Sequence, residues 1–378
     1  MKFTIVIKYV ILSLILFQLP NFLLFFFNSG FSSTLSYLTY ILIIVYVLIK
    51  GKSGNCIPML IVGSLYFLIS SISNQEYMPP FNTFITIVIK YFIIIWGGYE
   101  VMKDTNSKEM GVFLFIGALS ILANIFLFEN PNGDNGRYSG FYIDPNNGGL
   151  ICLLGFSLTF TFRKSLRMVS KVIFTILGIL TFSRTFIVSW ILLNLLSIKL
   201  DLKNAKMLGI GFFLLSSLLI YNEFLPNKNV RLEQISAMIS GNSSKGNALE
   251  KDSRLETWSR YYDALFDKPI LGNGYQAFGG NGVAPPVGVH NTYLLIWGES
   301  GIFTLLIFLI YLFFLAQKCI KHFKDSPYAL MMFISLTLFL LTNHNFFTTD
   351  YSLLILVWIH IKIMNKEKNE AQSQVILA

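Results

Sequence analysis

Long apolar runs separated by short polar and charged stretches dominate the chain. Twelve of them are centred on residues 3–27, 31–49, 56–72, 81–101, 110–128, 148–162, 169–183, 184–198, 207–222, 290–316, 328–345 and 350–364. A bilayer core about 30 Å thick takes about 20 helical residues, and only a helix or a closed barrel satisfies its own backbone there. The runs at 169–183 and 184–198 are short and abut at Ser183-Arg184. The pattern predicts an all-α polytopic membrane protein of about twelve transmembrane helices. These form a single bundle over residues 1–366, followed by a short, polar, frayed cytoplasmic tail over 367–378. One long stretch, 223–289, breaks the pattern and is expected to be a large extracytoplasmic loop.

Composition agrees with this reading. The chain is 54% hydrophobic, 16% aromatic and 13% charged, with a mean hydropathy of +0.61, which excludes a water-soluble fold. A net charge of +9 suggests nucleic acid at first sight, but the Lys and Arg residues cluster between apolar runs, as membrane topology requires. With a cytoplasmic N-terminus, nineteen of the 29 basic residues fall inside, and only Arg137 and Arg184 lie in short outer loops. Seven more lie in 223–289 and Lys90 lies within a span. Merging 169–183 with 184–198 reverses every later loop and destroys the bias, so both termini are placed inside. Lys2 and Lys8 precede an apolar run without an A-x-A site, which reads as a retained first span. Cys56, Cys152 and Cys319 show no metal or disulfide spacing.

The long loop has local structure of its own. Ser253-Arg254-Leu255-Glu256 has capping-box form, and Leu255, Trp258, Tyr262 and Leu265 follow at helical spacing up to Pro269. The Gly/Pro-rich stretch 272-GNGYQAFGGNGVAPPVG-288 then returns the chain to the membrane at His290.

Sidedness narrows the candidate chemistry. His322 and His360 fall inside, His290 and His344 outside. His290, followed by Asn291 at the head of a span, is placed to act as a half-shielded base or orienting group; an interfacial anchor is an equally good reading. Arg184 stands alone between two spans, either snorkelling to lipid phosphate or presenting its fork to an anionic substrate. Arg254, at the first turn of the loop helix, is tolerable there if it shares an anion with free N–H groups, and is otherwise a solvated loop arginine. Trp258 and Tyr261 share its face and could stack on a sugar, though such spacing more often serves a core. Arg137 opens 137-RYSGFYIDPNNGG-149, a Gly/Pro/Asn-rich loop suited to folding back into a polar cavity. Asp144 in that motif serves either a proton or sugar hydroxyl or, more simply, an Asp-Pro turn. Lys90, near the middle of the fourth span, is costly there and needs a partner or a polar cavity. P-loop, HExxH and GxSxG patterns are absent, so ATP hydrolysis, zinc proteolysis and a serine hydrolase elbow have no support. Asn242-Ser243-Ser244 matches a glycosylation sequon short enough to arise by chance.

Several of these segments resemble one family. The stretch 290-HNTYLLIWGESGIFTLLIFL-309 is similar to the region after the large periplasmic loop of the O-antigen ligase and O-antigen polymerase superfamily, with its His-Asn pair and Glu-x-Gly. Arg254 through Trp258 and 269-PILGNGYQAF-278 resemble its Arg-x-x-x-Trp and Pro-x-x-Gly-x-Gly-aromatic patterns. Arg137, Gly140, Pro145 and Asn146 resemble its Arg-x-x-Gly loop, and Ser183-Arg184 its Ser-Arg turn. The resemblance implies a metal-independent glycosyltransferase of the bacterial inner membrane with no cofactor, whose donor is a polyprenyl-pyrophosphate-linked oligosaccharide. It assigns Arg137, Arg184 and Arg254 to the leaving pyrophosphate and His290 to the acceptor hydroxyl. Membrane lipid and other polysaccharide assembly proteins are the expected partners; nucleic acid is not. Much of 223–250 has no counterpart, and acceptor choice could reside there.

Polymerase is the favoured reading, in capsule, exopolysaccharide or O-antigen synthesis, with ligase-type transfer to another acceptor as the alternative. A lipid-glycan flippase, of another class, would predict paired broken helices about a midplane site. Instead the candidate residues gather on one side.

Overall fold

A computed structural model describes residues 2–129, 136–224, 229, 232, 233, 236 and 254–377. Ser253 and the Asn242 sequon lie outside the described residues. The described helices are α1 (Lys2–Leu16), α2 (Leu19–Phe26), α3 (Ser29–Lys50), α4 (Ile57–Ser73), α5 (Phe81–Trp96), α6 (Gly98–Lys103), α7 (Ser107–Leu127), α8 (Pro145–Leu158), α9 (Lys164–Leu180), α10 (Arg184–Ile198) and α11 (Lys206–Glu223). After the loop come α12 (Arg254–Ser259), α13 (Tyr262–Asp267), α14 (Thr292–Lys321), α15 (Pro327–Leu340) and α16 (Asp350–Leu377). The described residues are helical without strands, as the apolar pattern requires.

Every one of the twelve apolar runs is helical, but not every one is a straight span. The first run is broken at Gln18, whose φ of 50° is left-handed, and α1 and α2 meet there at 55°. Among the described residues, five helices are long and apolar enough to cross a membrane, or six if the bent pair counts as one. The remaining apolar helices, such as α4, α10 and α15, are shorter. Length and composition therefore give an all-α membrane protein, and the count of twelve crossings belongs to the proposed topology.

Tertiary packing sorts the charges between the two ends of the bundle. At one end Lys8 pairs with Glu109 at 2.7 Å, Lys50 with Asp104 at 2.8 Å, and Lys52 with Glu100 at 3.3 Å. Glu109 also completes the capping box of α7 with Asn106. At the same end of α14, Lys318 and Lys321 each reach Glu367 at 2.7 Å. Their hydrogen bonds hold the Glu367 carboxyl down at about 2. This ladder ties the start of the polar tail, expected to fray, to α14, and α16 continues to Leu377.

The stretch after α13 is not a free loop. Asn273 N donates to Gly298 O at 2.6 Å, Tyr275 N to Ser70 O at 2.9 Å and Ile302 N to Pro269 O at 2.9 Å. Tyr275, Ala277, Phe278 and Val289 are buried. The helix α14 makes room by breaking at Gly301, with φ 81° and ψ 172°. A Cβ at Gly301 would run into the Ile270 carbonyl, so the break needs glycine both for its torsion and for its space. Beside it, the buried Glu299 accepts from the Tyr66 hydroxyl and, at 3.1 Å, from Phe278 N. The Glu-x-Gly motif is thus the socket for the glycine-rich segment that precedes His290.

Candidate functional site

The 137–149 segment folds against α7 through polar anchors. Asn124 Oδ1 accepts from Ser139 N at 2.9 Å and Gly140 N at 3.2 Å, and Ser120 Oγ accepts from Phe141 N at 3.0 Å. Gly140, at φ 60°, lies so close to α7 that a side chain would strike Ser120. Asp144 then caps α8, accepting from Asn146 N at 2.7 Å. Asn146 becomes the hub: its Oδ1 accepts from Ser183 Oγ at 2.8 Å and from Arg137 Nη2 at 3.4 Å. Arg137 Nε donates to Thr181 O at 3.3 Å. Ser183, after the left-handed Phe182 at φ 47°, caps α10 through Phe186 N at 3.3 Å. Arg184 is the first residue of α10, so Asn146 ties the Arg137 segment to the residue that precedes Arg184.

The histidine side is built from the end of the glycine-rich segment. His290 adopts φ 48°, and Asn291 caps α14 by accepting from Tyr293 N at 2.9 Å and Leu294 N at 3.2 Å. The ring of His290 meets that of His344 edge to face, centroids 4.6 Å apart. His344 sits in the loop between α15 and α16, which joins the two halves of the site. Thr185 Oγ1 donates to Thr342 Oγ1 at 3.3 Å, and Thr292 Oγ1 donates to Asn343 O at 2.6 Å. Burial pushes the His344 imidazole down to about 4, with His290 and Arg254 acting the same way and Asp144 opposing them. His344 Nδ1 is buried without a hydrogen-bond partner. One imidazole therefore feels His290, Arg254 and Asp144 together.

His290, Arg254 and Asp144 thus act on one imidazole, while Arg137 and the segment of Arg184 are joined by Asn146 and Asn291 caps α14. Arg254 occupies the first described residue of α12, next to Trp258, whose indole Nε1 is buried and unpartnered. Tyr261 goes elsewhere: it is fully buried, lies 4.8 Å from Phe278 between ring centroids and donates its hydroxyl to Val287 O. Burial raises that hydroxyl to about 12. Its ring belongs to the core and has no face left for a sugar, because the expected single helix breaks into α12 and α13 at Arg260-Tyr261. Lys90 lies in a separate cavity, described below. Sequence reasoning passed over His344 because it falls at the margin of an apolar run; the signal available was a second histidine on the outer side. The described group able to hold a metal, His322, Asp325 and Glu370, lies at the other end of α14, roughly 45 Å along a helix of this length.

Residues 169–309 match the family model described as O-antigen ligase. The match supports the O-antigen ligase/polymerase superfamily for this chain. It takes in Arg184, Arg254, His290 and Glu299, while Arg137 and His344 lie outside it and are joined to it only by the fold. A comparison with curated proteins finds no match. The match and the apolar helices together support a membrane protein with a role in polysaccharide biosynthesis.

Proposed function

We propose that the protein is a surface-polysaccharide polymerase that transfers glycan from a polyprenyl-pyrophosphate donor to a sugar hydroxyl at the outer face of the cytoplasmic membrane. In the topology behind this reading, twelve spans place both termini inside and the Arg/His cluster outside. The observation that carries it is that Asn146 accepts from both Arg137 and Ser183, the residue before Arg184, with Thr185–Thr342 linking this segment to the loop of the His290–His344 pair.

The chemistry suits a single displacement. The acceptor oxygen attacks the anomeric carbon, the bond from that carbon to the phosphate oxygen breaks, and the electron pair leaves on the lipid pyrophosphate. Charge grows on that leaving group, where guanidinium forks and the N-terminus of α10 stabilise it. His290 takes or orients the acceptor proton, helped by a neutral His344 that adds no competing charge. One displacement inverts the anomeric centre.

Ligase-type transfer to a different acceptor is the second reading, favoured by the family description itself. Reconstitution with a lipid-pyrophosphate repeat unit as the sole substrate separates the two: chain growth identifies a polymerase, transfer only after a second acceptor is added identifies a ligase. Full activity in both His290→Ala and Arg184→Ala would remove the site proposal.

A further inference from the structure

Under the α15–α16 loop that carries His344 lies a polar cavity of ≈ 550 Å³, within the range of about 300–1,000 Å³ usual for ligand sites. Gln18, Ser36, Tyr37, Tyr40, Lys90 and Asp350 contribute to its wall. Lys90 and Asp350 share it without pairing with each other. Lys90 Nζ donates to Ser36 Oγ at 3.1 Å and stands 5.1 and 5.2 Å from the ring centroids of Tyr37 and Tyr40. Asp350 Oδ2 accepts from the Tyr40 hydroxyl at 2.7 Å. An ammonium and a carboxylate at this depth are costly, and each keeps hydrogen-bonding capacity that the protein does not use.

Two further wall groups point the same way. The Tyr351 hydroxyl is buried without a partner, on a side chain that is 0% exposed, and Gln18 Oε1 is also buried and unpartnered. Orphaned polar atoms of this kind are destabilising when nothing meets them. The cavity also adjoins the reacting end. Its wall runs from Asn345 to Tyr351, directly after His344, and Tyr351 lies 6.2 Å from Tyr142 between centroids, in the turn that leads to Asp144.

We propose that this cavity binds a neutral saccharide, the acceptor end of the glycan, as a subsite of the transfer reaction; the inference rests on the transferase reading above. A hydroxyl both donates and accepts, so one polyol satisfies the donors of Lys90 and the acceptors of Asp350 and Gln18 together. A phosphate would meet Asp350, and a hydrocarbon would leave all four groups unsatisfied. The exposed ring of Tyr37 offers an aromatic surface for the sugar's C–H side. The geometry divides the labour: arginines hold the donor's pyrophosphate, and the Lys90 cavity retains the growing chain's acceptor end.

The test uses the full-length protein in lipid nanodiscs with lipid-pyrophosphate-linked repeat unit extracted from the producing cells. Tyr351→Phe and Lys90→Met are each expected to raise the KM for acceptor at least fivefold and shorten the product chains, with kcat within about twofold of the parent. Tyr351→Phe removes a hydroxyl with no protein partner, so its Tm is expected to hold or rise, and this variant decides the matter if Lys90→Met is not recovered folded. Parent-like KM and chain length, or a fall in kcat alone, overturns the inference. In that case an active parent and an inactive His290→Ala leave the transferase reading standing, whereas a parent inactive both on the repeat unit alone and with a second acceptor added sinks both.

Discussion

The imidazoles of His290 and His344 meet edge to face at 4.6 Å, although one ends the loop and the other lies between the last two helices. His344 is held down at about 4, chiefly by burial, so it is neutral at physiological pH. Its folded value lies below that of the unfolded chain, near 6.5, so folded protein binds fewer protons between the two. Stability is therefore fully present above about pH 6.5 and declines as pH falls toward 4. Thermal unfolding in detergent at pH 7 and pH 5 checks this: His344→Gln is expected to lose less Tm on acidification than the parent.

Arg184 and Arg137 are expected to act on the leaving group. Arg184→Ala should lower kcat about 10²- to 10³-fold, the usual effect of removing a group that stabilises developing negative charge. Arg184→Lys should recover only part of it, because an ammonium keeps the charge and loses the fork. Rates measured with lipid-pyrophosphate repeat unit decide; a parent-like Arg184→Lys would mean that the charge alone matters.

Asn146 holds the two arginine segments together without carrying charge itself. Asn146→Ala releases Ser183 Oγ and Arg137 Nη2, at a stability cost of about 1 kcal/mol. The expected kinetic effect is about a tenfold loss of kcat with donor KM little changed. A variant with normal kcat would show that the arginines keep their positions without this hub.

Docking of the glycine-rich segment depends on Gly301 and Glu299. Gly301→Ala forces a side chain into the Ile270 carbonyl at a left-handed torsion and should cost about 2 kcal/mol or more. Glu299→Ala strands the Tyr66 hydroxyl and Phe278 N, at about 1–3 kcal/mol for each group left unmet. Unfolding curves in detergent measure both, and loss of transfer should accompany loss of docking, since His290 follows this segment.

The proposed topology predicts labelling from opposite sides. Cys56, Cys152 and Cys319 are buried and should give little background. A membrane-impermeant maleimide should reach Asn82→Cys in intact cells and Lys203→Cys only after permeabilisation. Equal labelling of both without permeabilisation would reject the twelve-span arrangement.

By itself, the sequence determined that the chain is a helical membrane protein and where its apolar segments lie, and it singled out the arginines and the histidine proposed to carry the chemistry. Apolar run length and charge bias are local quantities, so no contact between distant segments was needed to see them. The break at Gln18, the docking of 268–289 against α14 and the burial of Tyr261 were not legible, because each depends on which surface a neighbour covers. The same holds for His344. Nothing in its local sequence separates it from the end of a span; it becomes part of the site only when Thr292 binds Asn343 and Thr185 binds Thr342. Hydrogen bonds between segments far apart in the chain fixed the site, and only the tertiary structure supplies them.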